Sequence, residues 1–267
     1  MLNKQRLNFI GTALLACTLL AGTAQAETPE EKGMAITVEA DKRNTGWGDS
    51  KVDMEMILRN RQGQESNREL RSQALEKPED GDWSMIIFDK PKDVKGTALL
   101  THSHKVEADD QWLYLPALKR VKRIASNNKS GPFMGSEFAY EDLSSQEIEK
   151  YTDYKWLRDE QVNGVDCFVL HRVPVDPKSG YTKQEAWVDK EHYRAQKVDF
   201  YDRKGELLKT LILSDYQVYK EKHWRPGKME MTNHQTGKST SLMFTNYVFG
   251  NDYSDRDFDQ NSLKSAR

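Results

Sequence analysis

Residues 181–219 read YTKQEAWVDKEHYRAQKVDFYDRKGELLKTLILSDYQVY, and their reading sets the fold. Three strand-like runs lie here, at 181–189, 194–201 and 207–219, with Arg203-Lys204-Gly205 as the turn between the last two. The pattern extends outward. Residues 151–159, 166–173, 228–232 and 240–249 also read as strands, separated by Asn163-Gly164, by Asp176-Pro177 with Gly180, by Pro226-Gly227 and by Thr236-Gly237. Short strands at this spacing predict an antiparallel sheet that curves or closes.

The N-terminal half follows the same period of two. Val52, Met54, Met56 and Leu58 alternate with Asp53, Glu55 and Ile57, and Arg61-Gln62-Gly63-Gln64 turns the chain. Residues 65–75 form a polar strand expected to be well exposed. Trp83, Met85 and Ile87 alternate in a run that ends at Pro91, and 97–104 and 111–115 are further strands. Residues 29–44 begin with Pro and acids and end with bases, the charge order a helix prefers, although Gly33 works against it. Residues 255–265 fit a short terminal helix. No Pro/Gly/Ser linker and no repeat divides the chain, so 27–267 is expected to be one mainly β domain with some helix (α+β).

The N-terminus carries an address. Lys4 and Arg6 precede an apolar stretch over 7–21, and Ala24-Gln25-Ala26 is a small-x-small cleavage site. Residues 1–26 therefore read as a secretory signal peptide and are set aside from the fold. Leu14-Leu15-Ala16-Cys17 also resembles a lipobox that would anchor a lipid on Cys17. Leu15 suits that motif poorly, and apolar sequence continues to the better site after Ala26. The expected location is the periplasm.

Composition excludes several classes. The chain has 267 residues, 37% hydrophobic and 31% charged, with 40 Lys+Arg against 42 Asp+Glu. That is a globular composition. The charge balance and an exported address both argue against a nucleic-acid binder. Two cysteines make no disulfide framework, and Cys167, set among valines in a strand-like run, reads as a buried apolar thiol.

Residues 111–143, QWLYLPALKRVKRIASNNKSGPFMGSEFAYEDL, break the strand pattern. Trp112 and Tyr114 share one strand face, with Leu113 and Leu115 on the other, and Pro116 ends the strand. Lys119, Arg120, Lys122 and Arg123 form a basic block. It serves either as a solvated strand edge, where Lys blocks unwanted pairing, or as a contact for lipid headgroups or an acidic partner. Pro132-Phe133-Met134-Gly135, with Phe138 and Tyr140, then sets large apolar side chains in a long irregular segment. Such a segment either plugs one end of the sheet or acts as a lid over an apolar cavity.

These same residues carry a family resemblance. Trp112-Leu-Tyr-Leu-Pro116, Arg120-Val-Lys-Arg-Ile124, Phe133-Met-Gly-Ser-Glu-Phe138 and Tyr140-Glu-Asp-Leu143 are similar to the LolA-like family of outer-membrane lipoprotein-sorting proteins. Phe88-Asp-Lys-Pro91-Lys-Asp-Val-Lys-Gly96 upstream, and Trp187-Val-Asp-Lys190, Val198-Asp-Phe-Tyr-Asp202 and Asp215-Tyr216 downstream, extend it over roughly residues 30–265. The resemblance implies a strongly curved, incomplete antiparallel β-barrel whose concave side is covered by helices and a loop. It implies a soluble periplasmic carrier of an acylated lipoprotein or lipid that touches membranes transiently and works with an inner-membrane transporter of the RND type. No cofactor and no catalytic residue is implied.

On this reading the lid and cavity candidates are Trp112, Tyr114, Leu115, Phe133, Met134, Phe138, Met54, Met56, Trp83 and Met85. Lys119, Arg120, Lys122 and Arg123 are the headgroup or partner candidates. Thioether chains repack cheaply, which suits a carrier, but ordinary core packing explains the methionines as well. A non-carrying adaptor or sensor docked on an RND-type exporter is the alternative. An apolar cavity of several hundred Å³ would favour the carrier, and a solid core the adaptor. His102-Ser103-His104 offers two imidazoles on one strand face but lacks a third metal ligand nearby. No HExxH, GxSxG or P-loop pattern occurs, and no nucleophile stands out.

Overall fold

The computed structural model describes residues 26–265. The signal-peptide reading of 1–26, apart from Ala26 itself, and the lipobox at Cys17 lie outside the described residues. The chain opens with helix α1 (Pro29–Asn44). Thr28 and Glu31 cap it reciprocally: the Glu31 amide donates to Thr28 Oγ1 at 3.1 Å, and the Thr28 amide donates to Glu31 Oε2 at 2.9 Å. Strands follow: β1 (Asp49–Arg59), β2 (Glu65–Leu75), β3 (Trp83–Lys90), β4 (Ala98–His102), β5 (Asp110–Leu115) and β6 (Arg120–Arg123). After an irregular connector come β7 (Tyr151–Val162), β8 (Val165–Pro174), β9 (Lys183–Asp189), β10 (Ala195–Tyr201) and β11 (Leu207–Ser214). The chain finishes with β12 (Gln217–Tyr219), β13 (His223–Arg225), β14 (Lys228–Asn233), β15 (Lys238–Phe249) and helix α2 (Gln260–Ser265).

Thirteen strands form one antiparallel sheet in the order β6-β5-β4-β3-β2-β1-β15-β14-β11-β10-β9-β8-β7. The sheet is not closed. From β1 the chain steps outward by hairpins to the β6 edge, crosses to the opposite edge at β7, and steps back until β15 pairs with β1. Residues 124–150 must therefore span the sheet from edge to edge. A flat sheet would put β5 and β11, seven steps apart, about 34 Å from each other at ~4.8 Å per strand. Yet Gln111 on β5 donates to the Tyr140 carbonyl at 2.9 Å, and Lys209 on β11 reaches Asp142 at 3.0 Å. Two connector residues separated by one position are held from both sides, so the sheet curls around the connector. The incomplete, curved antiparallel barrel expected from the sequence is the observed fold.

The alternation in sequence becomes two faces. On the inner face Met54, Met56, Leu70, Phe88, Leu99 and Leu113 share one core with Val198, Phe200, Met231 and Leu242. On the outer face of the N-terminal half, Met85, Ile87, Ala98 and Leu100 are covered by Phe258 and by Leu263 of α2. Helix α1 lies against β7, where Ile36 packs on Leu170 and Val188. Gly33 explains itself here: a Cβ at that position would stand 2.7 Å from the Lys155 and Trp156 backbone. The glycine that weakened the helix in sequence is what lets it seat on the strand.

One expectation shifts. The run 207–219 is not one strand; Asp215 takes a left-handed conformation (φ 55°), and β12 pairs with β13 instead of continuing in the sheet. The basic block keeps its strand-edge reading: Lys119 sits in the turn before it, and Arg120, Lys122 and Arg123 lie on strand β6, which is paired on one side only and forms a free edge of the sheet.

Candidate functional site

The connector fills the inner face. Its tip folds back on itself, with the Phe133 amide donating to the Phe138 carbonyl at 2.7 Å and Pro132 bridging Ala139. Met134 (φ 49°) and Gly135 (φ 78°) make the reversal. Phe133 is fully buried between Phe88 and Tyr140, each ring centroid 5.6 Å away, and Phe138 is buried beside it. Burying a phenylalanine this completely is worth roughly 1.5–3 kcal/mol, so the tip is seated on the inner face and does not hang over it.

Polar groups fasten it to both halves. Lys209 Nζ donates to Asp142 Oδ2 and to the Glu137 carbonyl, each at 3.0 Å. Tyr181 Oη donates to Asp142 Oδ1 at 2.7 Å, and the Ala139 amide donates to Asp142 Oδ2 at 2.7 Å. Glu137 accepts from Asn233 Nδ2 at 2.8 Å, while its amide donates to Thr240 Oγ1 at 3.0 Å. From the other half-sheet, Arg68 Nη1 donates to the Met134 carbonyl at 2.6 Å. Burial lowers the guanidinium pKa of Arg68 and raises the carboxyl pKa of Glu141, whose oxygens accept from Ser179 Oγ and the Gly180 amide. Burial also pushes the Tyr181 phenol well above its ordinary range.

Arg68, Tyr181 and Lys209 were not among the sequence candidates. Arg68 had a signal: it is two residues from Leu70, and both face inward opposite Met56 and Met54. Lys209 had none, because a lysine in a half-polar strand reads as solvent-facing until a buried carboxylate comes from a remote segment.

The structure divides the lid and cavity candidates. Met54, Met56, Phe133 and Phe138 lie in the inner core, and Leu115 and Met134 pack at its margin. Trp83, Met85, Trp112 and Tyr114 lie on the outer face, beneath α2. His102 stacks on Trp83 with centroids 3.9 Å apart and bonds the Phe258 carbonyl through Nε2 at 2.7 Å. His104 pairs with Asp80 at 2.6 Å. Each histidine of the HxH pair is thus committed to a different contact, and among the described residues no three His, Cys, Asp or Glu side chains converge as metal ligands would. Lys119, Arg120, Lys122 and Arg123 are exposed on and beside β6; Arg123 pairs with Asp110.

Among the described residues, two cavities stand out. One of about 310 Å³ lies beside the connector, lined by Lys129, Glu141, Lys150, Tyr151 and Gln184 among others. The other, about 530 Å³, is an open groove between 75–77 and 253–256. Neither exposes the apolar inner floor, which the connector occupies. At the floor's margin Leu211, Met229, Phe244 and Tyr247 remain half-buried.

A family model described as "Uncharacterized protein" matches residues 80–265. The comparison with curated proteins returns no match. Among solved structures, a candidate outer membrane lipoprotein-sorting protein domain from Vibrio parahaemolyticus is 59% identical, with a TM-score of 0.86 over 88% of this chain and 99% of that one. A DUF1329 family protein from Desulfovibrio piger is 30% identical, with a TM-score of 0.83 over 88% of this chain and 99% of that one. A LolA superfamily protein from Nitrosomonas europaea, 22% identical with a TM-score of 0.68 over 86% of this chain and 98% of that one, shares the fold. With that identity over nearly the full length of the Vibrio domain, the chain belongs to the same family as that outer-membrane lipoprotein-sorting domain, and it shares its fold with the LolA superfamily.

Proposed function

We propose that this protein is a periplasmic carrier that takes the acyl chains of a lipid or lipoprotein onto the inner face, in the space the connector now fills. One observation carries the reading: an apolar floor spanning both half-sheets is covered by a segment whose fastenings are polar. Such a cover can be exchanged. Its buried phenylalanines can be replaced by acyl methylenes, and its Asp, Glu and carbonyl groups regain water on leaving. An acyl chain of about 16 carbons gains on the order of 12 kcal/mol on burial, at ~0.8 per CH₂. That is enough to displace a loop whose own apolar anchors are chiefly Phe133 and Phe138. A self-filling cover also lets the cargo go again, which a permanently open pocket of that affinity would not. The periplasmic setting rests on the lipoprotein-sorting relatives.

The filled inner face also favours a second reading, a non-carrying adaptor or sensor docked on an exporter of the RND type. A solid interior is what that role needs. Titration with a fluorescent fatty acid separates the two. A carrier binds the probe with saturation and loses amide protection over 131–143 as it does so. An adaptor shows no saturable binding.

A further inference from the structure

Strands β1, β3 and β5 run in one direction and β2, β4 and β6 in the other, so the turns 60–64, 91–96 and 116–119 leave the sheet at the same end. The last two touch: a Cβ on Gly96 would stand 3.4 Å from Pro116 Cγ. These turns and the adjoining strand hold seven cations; Arg123, at the far end of β6, pairs with Asp110, and the other six are Arg61, Lys92, Lys95, Lys119, Arg120 and Lys122. All six are exposed, and among the described residues none makes an ion pair. Asp93 is the one acid within the three turns. Leu118 stands among them at 62% exposure. In a chain of formal net charge −2, such a rim is a local feature and does not follow from overall basicity.

The same end holds the connector tip. Arg68, three residues into β2 from this rim, carries the Met134 carbonyl, and Asn233 and Thr240, flanking the turn 234–237, carry Glu137. Gly237 in that turn lies close to Arg61.

We propose that this rim docks on an anionic lipid surface, with Leu118 entering the headgroup layer and the basic side chains held at the phosphates. A membrane fits better than an acidic protein because the cations stand on separate turns and line neither cavity. A single apolar tip ringed by basic groups is also suited to an interface. Docked in this way, the connector tip faces the bilayer, where an acyl chain would enter or leave. Binding is readable without cargo, so its failure leaves the carrier reading standing.

The test is flotation of the protein, purified from the periplasmic fraction, with vesicles of phosphatidylglycerol or of phosphatidylcholine. Partition onto phosphatidylglycerol that is absent on phosphatidylcholine and fades at ~0.5 M salt is expected. Lys119→Ala/Arg120→Ala/Lys122→Ala should weaken it about a hundredfold, at about fivefold per residue. Lys92→Ala/Lys95→Ala, on a separate turn, should weaken it about twentyfold by the same measure even if the β6 variant folds poorly. Leu118→Ser should weaken it further, and Lys42→Ala/Lys264→Ala, away from the rim, should change nothing. Equal partition onto both vesicles, no partition, or unaltered partition of both folded rim variants would overturn the proposal. So would capture of an acidic protein in the absence of any vesicle binding.

Discussion

Lys209 Nζ lies 3.0 Å from Asp142 Oδ2, with both side chains only 6% exposed, and this pair joins the connector to the sheet at the centre of the inner face. Burying two charges costs desolvation that their attraction does little more than offset. The pair therefore adds little net stability, but it fixes where the connector sits.

A first prediction follows from that pair. Lys209→Met leaves Asp142 buried with one cationic partner lost, a change that typically costs about 3–5 kcal/mol. The effect should fall on the connector: amide exchange at Phe133, Ser136 and Tyr140, whose N–H groups bond carbonyls within the segment, should accelerate before that of the sheet. Lys209→Met/Asp142→Asn removes the stranded charge and keeps an amide oxygen to accept from the Ala139 amide and Tyr181, so it should restore part of the protection. Equal acceleration in the single and double variants, or none in either, would show that the pair is no latch.

The connector and the cargo compete for one floor. Phe133→Ala removes a fully buried ring and should destabilise the seated state by roughly 3–5 kcal/mol. A carrier whose connector loses that much hold should bind a fluorescent fatty acid at least tenfold more tightly, because less of the binding energy is spent on displacement. Unchanged or weaker binding by a folded Phe133→Ala protein would mean that the ring belongs to the cargo site itself or that no cargo binds.

Acid should help at one position. The Asp82 carboxyl is pushed up to about 6, chiefly by burial, with Glu147 and Glu76 adding repulsion and the Lys77 amide opposing. A carboxyl raised above its unfolded value binds its proton more readily in the fold. Its ionisation thus costs stability fully above about pH 6, and the cost is relieved as pH falls towards 4. Asp82→Asn keeps an acceptor for the Lys77 amide and should stabilise the protein by on the order of 2 kcal/mol at pH 7.5. The gain should shrink towards zero near pH 4, as read by urea unfolding at both values. A gain that does not depend on pH would rule out ionisation as its source.

Cys167 is fully buried, and burial pushes its thiol up to about 11. It should resist a disulfide reagent in the native protein at pH 8 and react only on unfolding. Cys167 packs with Val169 and Trp187, so rapid native labelling would mean that this cluster opens readily.

Much of the sheet was legible because hairpin turns and alternation are local. Asn163-Gly164 closes β7 onto β8 with both residues at positive φ (52° and 81°), as a two-residue turn demands. Val52, Met54 and Met56 alternate inward as written. What alternation does not say is which of two faces is inner. Both faces of the N-terminal half are buried, one by the connector and the other by α2, so Trp83, Met85, Trp112 and Tyr114 looked the same in sequence as Met54 and Met56. The order in which β15 returns to β1 decides between them, and it is set by contacts nearly two hundred residues apart. Arg68 and Lys209 were illegible for the same reason: their partners, Met134 and Asp142, lie 66 and 67 positions away.

The central claim is that acyl chains occupy the inner face, and native mass spectrometry of the protein purified gently from periplasm tests it most directly. A carrier gives a discrete added mass that dissociates as a fatty-acyl lipid or lipopeptide, and more of it in Phe133→Ala. A clean unloaded mass in both proteins, repeated after incubation with membrane extract, would contradict the claim and leave the connector as a permanent part of the core.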